Sequence, residues 1–217
     1  MFTALQPSAF APFKPAPQTV TAPAYPGIGK PSEVGATGLP GDVGFDPLGL
    51  ANFDLFPGSA NDKMRSAAEV MRDYRDAELK HGRLAMLAAV AWPLQEKIQP
   101  LLAAKFHVAN LLAGDLSPSV LNGGLDQGII PSSVLTFAAL VSLVEAQGLR
   151  VKKSQGIDAW MPGDYMTARF SERGTDQFFS LSEGEIWNSR IAMIAVLGYV
   201  AQEAVTKVPA ASMLPFF

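Results

Sequence analysis

Two nine-residue stretches constrain this chain more than anything else in it: Glu78-Leu-Lys-His-Gly-Arg-Leu-Ala-Met86 and Glu185-Ile-Trp-Asn-Ser-Arg-Ile-Ala-Met193. Each leads into an apolar run of helical character, so each puts a carboxylate, a lone-pair donor and an arginine where a membrane span should be. Ionised groups in lipid are costly unless paired, and pairing usually serves a function. Glu78 and Arg83 are five residues apart, as are Glu185 and Arg190, whereas neighbours on a helix surface are three or four apart. Neither arginine can therefore neutralise the glutamate of its own segment. A pseudo-twofold crossing of the two helices solves both problems, with Glu78 meeting Arg190 and Glu185 meeting Arg83. Gly82 and Ser189 hold matched places beside the arginines and would let the backbones approach closely.

The rest of the composition narrows the function. Hydrophobic residues make up 48% of the 217 and mean hydropathy is +0.17, between an apolar soluble protein and a membrane protein whose spans carry polar groups. A formal charge of −3 gives no basic footprint for nucleic acid. The absence of cysteine removes disulfides, thiolate metal sites and a cysteine nucleophile. Two histidines, His81 and His107, cannot build a multi-histidine centre, so a His-bound metal would take one protein ligand at a time. No catalytic constellation accompanies the carboxylates, and the expectation is a protein that is not an enzyme.

Residues 1–38 read as an extended arm, because nine of the chain's 17 prolines fall within the first 50 residues. Residues 39–217 read as an all-α membrane domain of three transmembrane helices with short amphipathic pieces. The first helix should begin near Asn61 or Asp62 and span about 62–99, ending before Pro100, with a kink at Pro93. Its charged first half, from Lys63 to Asp76, must stand in water. A short amphipathic piece is expected around 101–112. The second helix is expected at 131–152, with Pro131 in its first turn and Lys152 and Lys153 at its polar end. The third is expected at 182–206, where Ser182 and Glu185 have capping-box spacing. A Pro-Gly-Asp turn precedes both motifs, at 40–42 and 162–164.

A carboxylate that is already ion-paired keeps lone pairs, and His81 or Asn188, three residues on, offers a nitrogen or an amide oxygen. Such groups suit a metal whose other positions are filled. Magnesium in a chlorophyll is that case, since the macrocycle supplies the equatorial nitrogens and leaves an axial site. Both motifs, the Gly41-Asp-Val-Gly-Phe-Asp-Pro-Leu-Gly-Leu50 turn and three spaced apolar helices closely resemble the chlorophyll-binding light-harvesting complex proteins, over about residues 38–206.

The resemblance implies that Glu78, His81, Glu185 and Asn188 are axial ligands of chlorophyll magnesium, with Arg83 and Arg190 completing the ion pairs. It places Gln202 where the family has a further amide ligand. In the middle helix Gln147-Gly-Leu-Arg150 is similar to the family's Glu-Gly-x-Arg, which makes Gln147 the preferred ligand with Glu145 as the alternative. The two lie about 200° apart on a helix, so only one should face a given pigment. The chain departs from the family pattern at Ser189, usually glycine, in having no histidine after Gln202, and in the middle helix, where the family's carboxylate is either replaced by Gln147 or displaced.

Trp92-Pro-Leu94 and Ser117-Pro-Ser-Val-Leu-Asn-Gly-Gly124 look more like antennae of red-lineage plastids, and Ser8-Ala-Phe-Ala-Pro12 looks like the cleavage signature of proteins imported into plastids of secondary origin. The resemblance thus implies a multi-pass protein of the plastid thylakoid membrane. It would bind chlorophyll a, with chlorophyll c or b and a fucoxanthin-like or other xanthophyll carotenoid beside the Pro-Gly-Asp turns. Its partners would be thylakoid lipids, neighbouring antenna subunits and a photosystem core, photosystem I favoured. A photoprotective quenching relative is the alternative function, and a small membrane transporter is the rival from another class.

Overall fold

Residues 67–106 consist mostly of Ala, Leu, Met, Glu, Lys, Gln and Arg, which lose least on entering a helix, and they form one continuous helix. In a computed structural model the described residues are 38–52, 67–107, 109–120, 122–126, 128–156, 160–165 and 176–213. They contain three long helices, α1 (Ala67–Phe106), α2 (Ile130–Gln155) and α3 (Asp176–Thr206). Short 3-10 turns lie at Leu50–Asn52, Gly124–Asp126 and Ala210–Met213. No strand occurs among the described residues. The N-terminal arm up to residue 37 and the expected helix start at Asn61 or Asp62 lie outside them.

Two helix boundaries differ widely from expectation. α1 does not stop before Pro100 but continues to Phe106, and at 40 residues it is about 60 Å long. A proline deprives only the carbonyl one turn back of its partner, and the helix formers Leu101-Leu-Ala-Ala104 carry the backbone on. The amphipathic piece expected at 101–112 is thus, up to Phe106, the tail of α1. At Pro93 the deprived carbonyl is that of Ala89, and the Tyr199 hydroxyl of α3 donates to it at 3.4 Å. α3 begins at Asp176, six residues before Ser182, so the Ser182–Glu185 spacing lies inside a helix and caps nothing. Asp176 places a negative charge in the first turn, where the helix dipole favours it.

α2 differs from the expected 131–152 only at its ends, with Pro131 in its first turn and Lys152 and Lys153 in its last. The residue following each long helix is left-handed: His107 at φ 51°, Gly156 at 75° and Lys207 at 56°. The N–H groups of Gly156 and Lys207 close the last turns on Lys152 O and Glu203 O, both at 3.1 Å.

α1 and α3 pack directly on each other, and the seam is made of small residues. A Cβ on Gly82 would lie 2.2 Å from the Ser189 Cβ, and Ser189 is fully buried. Ala85 and Ala192, three residues on, are buried on the same stripe, with Leu79 and Ile186 to the other side. Outside this seam most large apolar side chains face outward, among them Leu87, Leu135, Leu143 and Ile194, each more than 60% exposed. An apolar exterior of this extent is stable only against another apolar phase.

At the far end of the seam Glu96 is buried and accepts two backbone N–H groups, from Ser117 at 3.3 Å and Ala211 at 2.8 Å. It ties the loop after α1 and the C-terminal 3-10 turn to one point. Glu203 beside it is buried and accepts the Trp92 indole N–H at 2.6 Å. Glu96→Ala should strand both N–H groups at about 1–3 kcal/mol each, and Glu96→Gln, which keeps an acceptor, should cost less. Thermal unfolding in detergent followed by helical circular dichroism checks the order; equal midpoints would remove this role for Glu96.

Candidate functional site

The motif helices bring two matched clusters together at the α1/α3 crossing. Arg190 Nε donates to Glu78 Oε1 at 2.7 Å, and Arg83 Nε donates to Glu185 Oε1 at 2.6 Å. The four charged groups named from the spacing are therefore in contact across the helices and not within them. All four side chains are a quarter to a third exposed.

Each arginine also reaches the Pro-Gly-Asp turn on its side. Arg190 Nη2 donates to Gly41 O at 3.0 Å, and Arg83 Nη1 donates to Gly163 O at 2.9 Å. Both turns are closed by the aspartate N–H, Asp42 on Leu39 O and Asp164 on Met161 O, each at 3.2 Å. Both glycines have φ above 70°, and a Cβ on Gly41 would lie 2.4 Å from Ile186 while one on Gly163 would lie 2.9 Å from Leu79. Leu79 and Ile186 each follow a motif glutamate, so the twofold relation holds from ion pair to turn to packing.

His81 and Asn188 face outward from the crossing and are both exposed. His81 Nδ1 is 2.7 Å from Ala77 O, and because a carbonyl only accepts, Nδ1 carries the proton. Asn188 Nδ2 donates to Gly184 O at 2.8 Å. Each side chain thus spends a donor on the carbonyl one turn back and presents a lone pair, His81 Nε2 or Asn188 Oδ1, away from the helix. The second-site hydrogen bond also fixes ring or amide orientation, as it does for metal ligands generally. Leu84 and Ile191, exposed three residues on, give each lone pair an apolar shelf on the same face.

The other named residues fall differently. Gln202 Nε2 donates to Val208 O and Pro209 O, both at 3.4 Å, which leaves its carbonyl oxygen unengaged. The Gln147 side chain is exposed on α2 and makes no hydrogen bond among the described residues. Glu145 is committed on both oxygens, to Lys80 Nζ at 2.6 Å and to the Tyr165 hydroxyl at 3.1 Å. No three His, Asp or Glu side chains among the described residues converge as a cage for an ion, so any metal here would have to bring most of its ligands.

Sequence reasoning missed several partners. Arg75 Nη1 donates to Glu78 Oε2 at 2.7 Å, a contact its three-residue separation could have revealed. Glu185 Oε2 has no such second cation among the described residues. Asp76 accepts the Gly163 N–H at 2.9 Å and pairs with Lys80 at 2.8 Å. Aromatic rings lie under both motif arginines, Tyr165 at 5.6 Å from Arg83 and Trp187 at 5.0 Å from Arg190. Burial, with Glu145 adding to it and Lys80 opposing it, holds the Tyr165 phenol above its usual value, so it stays a neutral donor.

A sequence model of the family described as Chlorophyll A-B binding protein matches residues 30–204. The chain is 30% identical over 192 residues to the chloroplastic fucoxanthin-chlorophyll a-c binding protein of Isochrysis galbana, covering 79% of this chain and 78% of that one. It is 30% identical to the chloroplastic light-harvesting complex stress-related protein 1 of Chlamydomonas reinhardtii, over 76% of this chain and 62% of that one. With the chloroplastic chlorophyll a-b binding protein 7 of Solanum lycopersicum the identity is 30%, over 74% and 57%. Duplicated ion pairs, outward lone pairs and these likenesses converge on one assignment: the chain belongs to the chlorophyll a-b binding light-harvesting family.

Proposed function

We propose that the chain is a light-harvesting antenna that holds chlorophylls and carotenoids in residues 39–217 and passes excitation to a photosystem. The observation that carries this reading is the matched posture of His81 and Asn188, each with its donor on the i−4 carbonyl and its lone pair outward. Those atoms would hold chlorophyll magnesium, as would Glu78, Glu185, Gln202 and, on α2, Gln147. Glu185 keeps Oε2 for that purpose, and Glu78, with hydrogen bonds on both oxygens, keeps remaining lone pairs. Bound chlorophyll and carotenoid supply light absorption and excitation transfer; the chain supplies ligation, orientation and exclusion of water.

All three helices span the thylakoid membrane in this reading. α2 alone is long and apolar enough by composition among the described helices, with mean hydropathy 1.5 in its best window. α1 and α3 carry motif charges that a composition count penalises in full, although cross-helix pairing offsets much of their cost. The likeness to the fucoxanthin-chlorophyll a-c protein favours chlorophyll a with chlorophyll c, and fucoxanthin-like carotenoids in the grooves beside the Pro-Gly-Asp turns. Neighbouring antenna subunits and a photosystem core, photosystem I by the look of the loops, are the partners. The stress-related relatives favour a second reading, energy quenching, and fluorescence lifetimes at high light or low pH separate the two.

His81→Leu and Asn188→Leu should each remove about one chlorophyll per chain while helix content stays unchanged, because neither side chain touches the α1/α3 seam. Pigment extraction and counting on the purified variants reads this directly. Full chlorophyll content in both would overturn the ligand assignment.

A further inference from the structure

α2 raises a mechanical question. Among the described residues no backbone packing joins it to α1 or α3, and most of its apolar side chains face outward. Lipid gives no hydrophobic force to hold one helix near another, so its distance from α1 must be set by something else. Side-chain bridges cross the gap. Lys80 Nζ meets Glu145 Oε2 at 2.6 Å, and the Tyr165 hydroxyl meets Glu145 Oε1 at 3.1 Å. The Tyr165 ring lies against Gly148, where a Cβ would come within 2.6 Å of Cε1. Lys152 pairs with Asp73 nearer the polar end and lies 4.5 Å from the Trp160 ring.

We propose that Lys80, Glu145 and Tyr165 form a strut that sets the spacing of α2 from α1, with Glu145 as its positioning residue. Both Glu145 oxygens are committed to the strut. Its two feet stand on rigid ground. Lys80 is held by Asp76, which also fixes the turn through the Gly163 N–H, and Tyr165 lies beneath Arg83, whose other side grips Glu185. The gap so set is what a pigment between the helices would fill; that part rests on the antenna reading, whereas the spacing does not.

The chain has no cysteine, so Lys153→Cys with Glu183→Cys places two spin labels on exposed positions of α2 and α3 without background. The expected result is a narrow distance distribution in the full chain that Lys80→Met broadens and displaces, with Lys80→Arg restoring it. Visible circular dichroism of the pigmented protein should weaken with Lys80→Met and recover with Lys80→Arg. If Lys80→Met fails to fold, Tyr165→Phe, which removes one hydrogen bond and keeps the ring, should give a smaller broadening of the same kind. An unchanged distribution in the variant that folds overturns the strut. So does loss of a chlorophyll in Glu145→Leu with the distance unaltered, which would make Glu145 a ligand. A colourless wild-type chain with a narrow distribution would instead refute the antenna reading and leave the strut standing.

Discussion

Glu78→Ala should be the most damaging single loss of charge in the chain, because it strands two guanidinium groups at once, those of Arg190 and Arg75. Breaking a buried pair costs about 3–5 kcal/mol, mostly for the charge left behind. Arg75 is buried, but Glu78 and Arg190 are partly exposed, which lowers the figure in water, and a membrane setting restores much of it. Among the described residues Glu185→Ala strands Arg83 alone, and it should cost less. Removing both partners should be milder than removing one, so Glu185→Leu with Arg83→Leu is expected to unfold at a higher temperature than Glu185→Leu alone. Thermal midpoints of the detergent-solubilised variants decide this, and a double variant no better than the single would mean that the pair is not a unit.

Gly82→Val should be comparably severe for a steric reason. Even a methyl group at 82 would lie 2.2 Å from the Ser189 Cβ, so α1 and α3 must part, and both ion pairs lengthen with them. Overpacking alone costs about 1–3 kcal/mol, and the loss of the pairs adds to it. The pseudo-twofold relation yields a sharper expectation. Exchanging the two residues, Gly82→Ser with Ser189→Gly, keeps one small side chain in the seam and should restore most of what Gly82→Ser loses. Refolding yield with pigments, compared across the three, is the readout; an exchange as poor as the single would show that the seam is not symmetric.

How much of this was legible beforehand follows from the range of each interaction. The cross-helix pairs of Glu78 with Arg190 and Glu185 with Arg83 could be read from the sequence because the motif is duplicated and a five-residue spacing forbids the local solution. The two glycine turns were visible as repeated Pro-Gly-Asp, though not their carbonyl bonds to the arginines. The end of α1 and the start of α3 are not legible in the sequence. Pro100 suggests a stop to α1, but one missing N–H does not outweigh the helix formers that follow, and Ser182 has capping chemistry without being at an end. The Glu145 partner of Lys80 and the partners of Glu96 and of the Trp92 indole lie on segments far away in the chain, and no periodicity points to them. Glu145 shows the limit best: its position allows a ligand role, and only the folded chain brings Lys80 and Tyr165 to its two oxygens.

The two halves of the crossing are copies in sequence yet not in electrostatic surroundings. Among the described residues Glu78 sits under two guanidinium groups and Glu185 under one, and the place held by Lys80 in the first motif is held by Trp187 in the second. A chromophore whose charge distribution shifts on excitation changes colour with the field around it, and fixed charges in a weakly screening medium make that field strong. Identical macrocycles seated at His81 and Asn188 would therefore absorb at different wavelengths, so that energy arriving at either would drain toward the redder one. The duplication would thus give the antenna its geometry, and its imperfection would give the flow a direction.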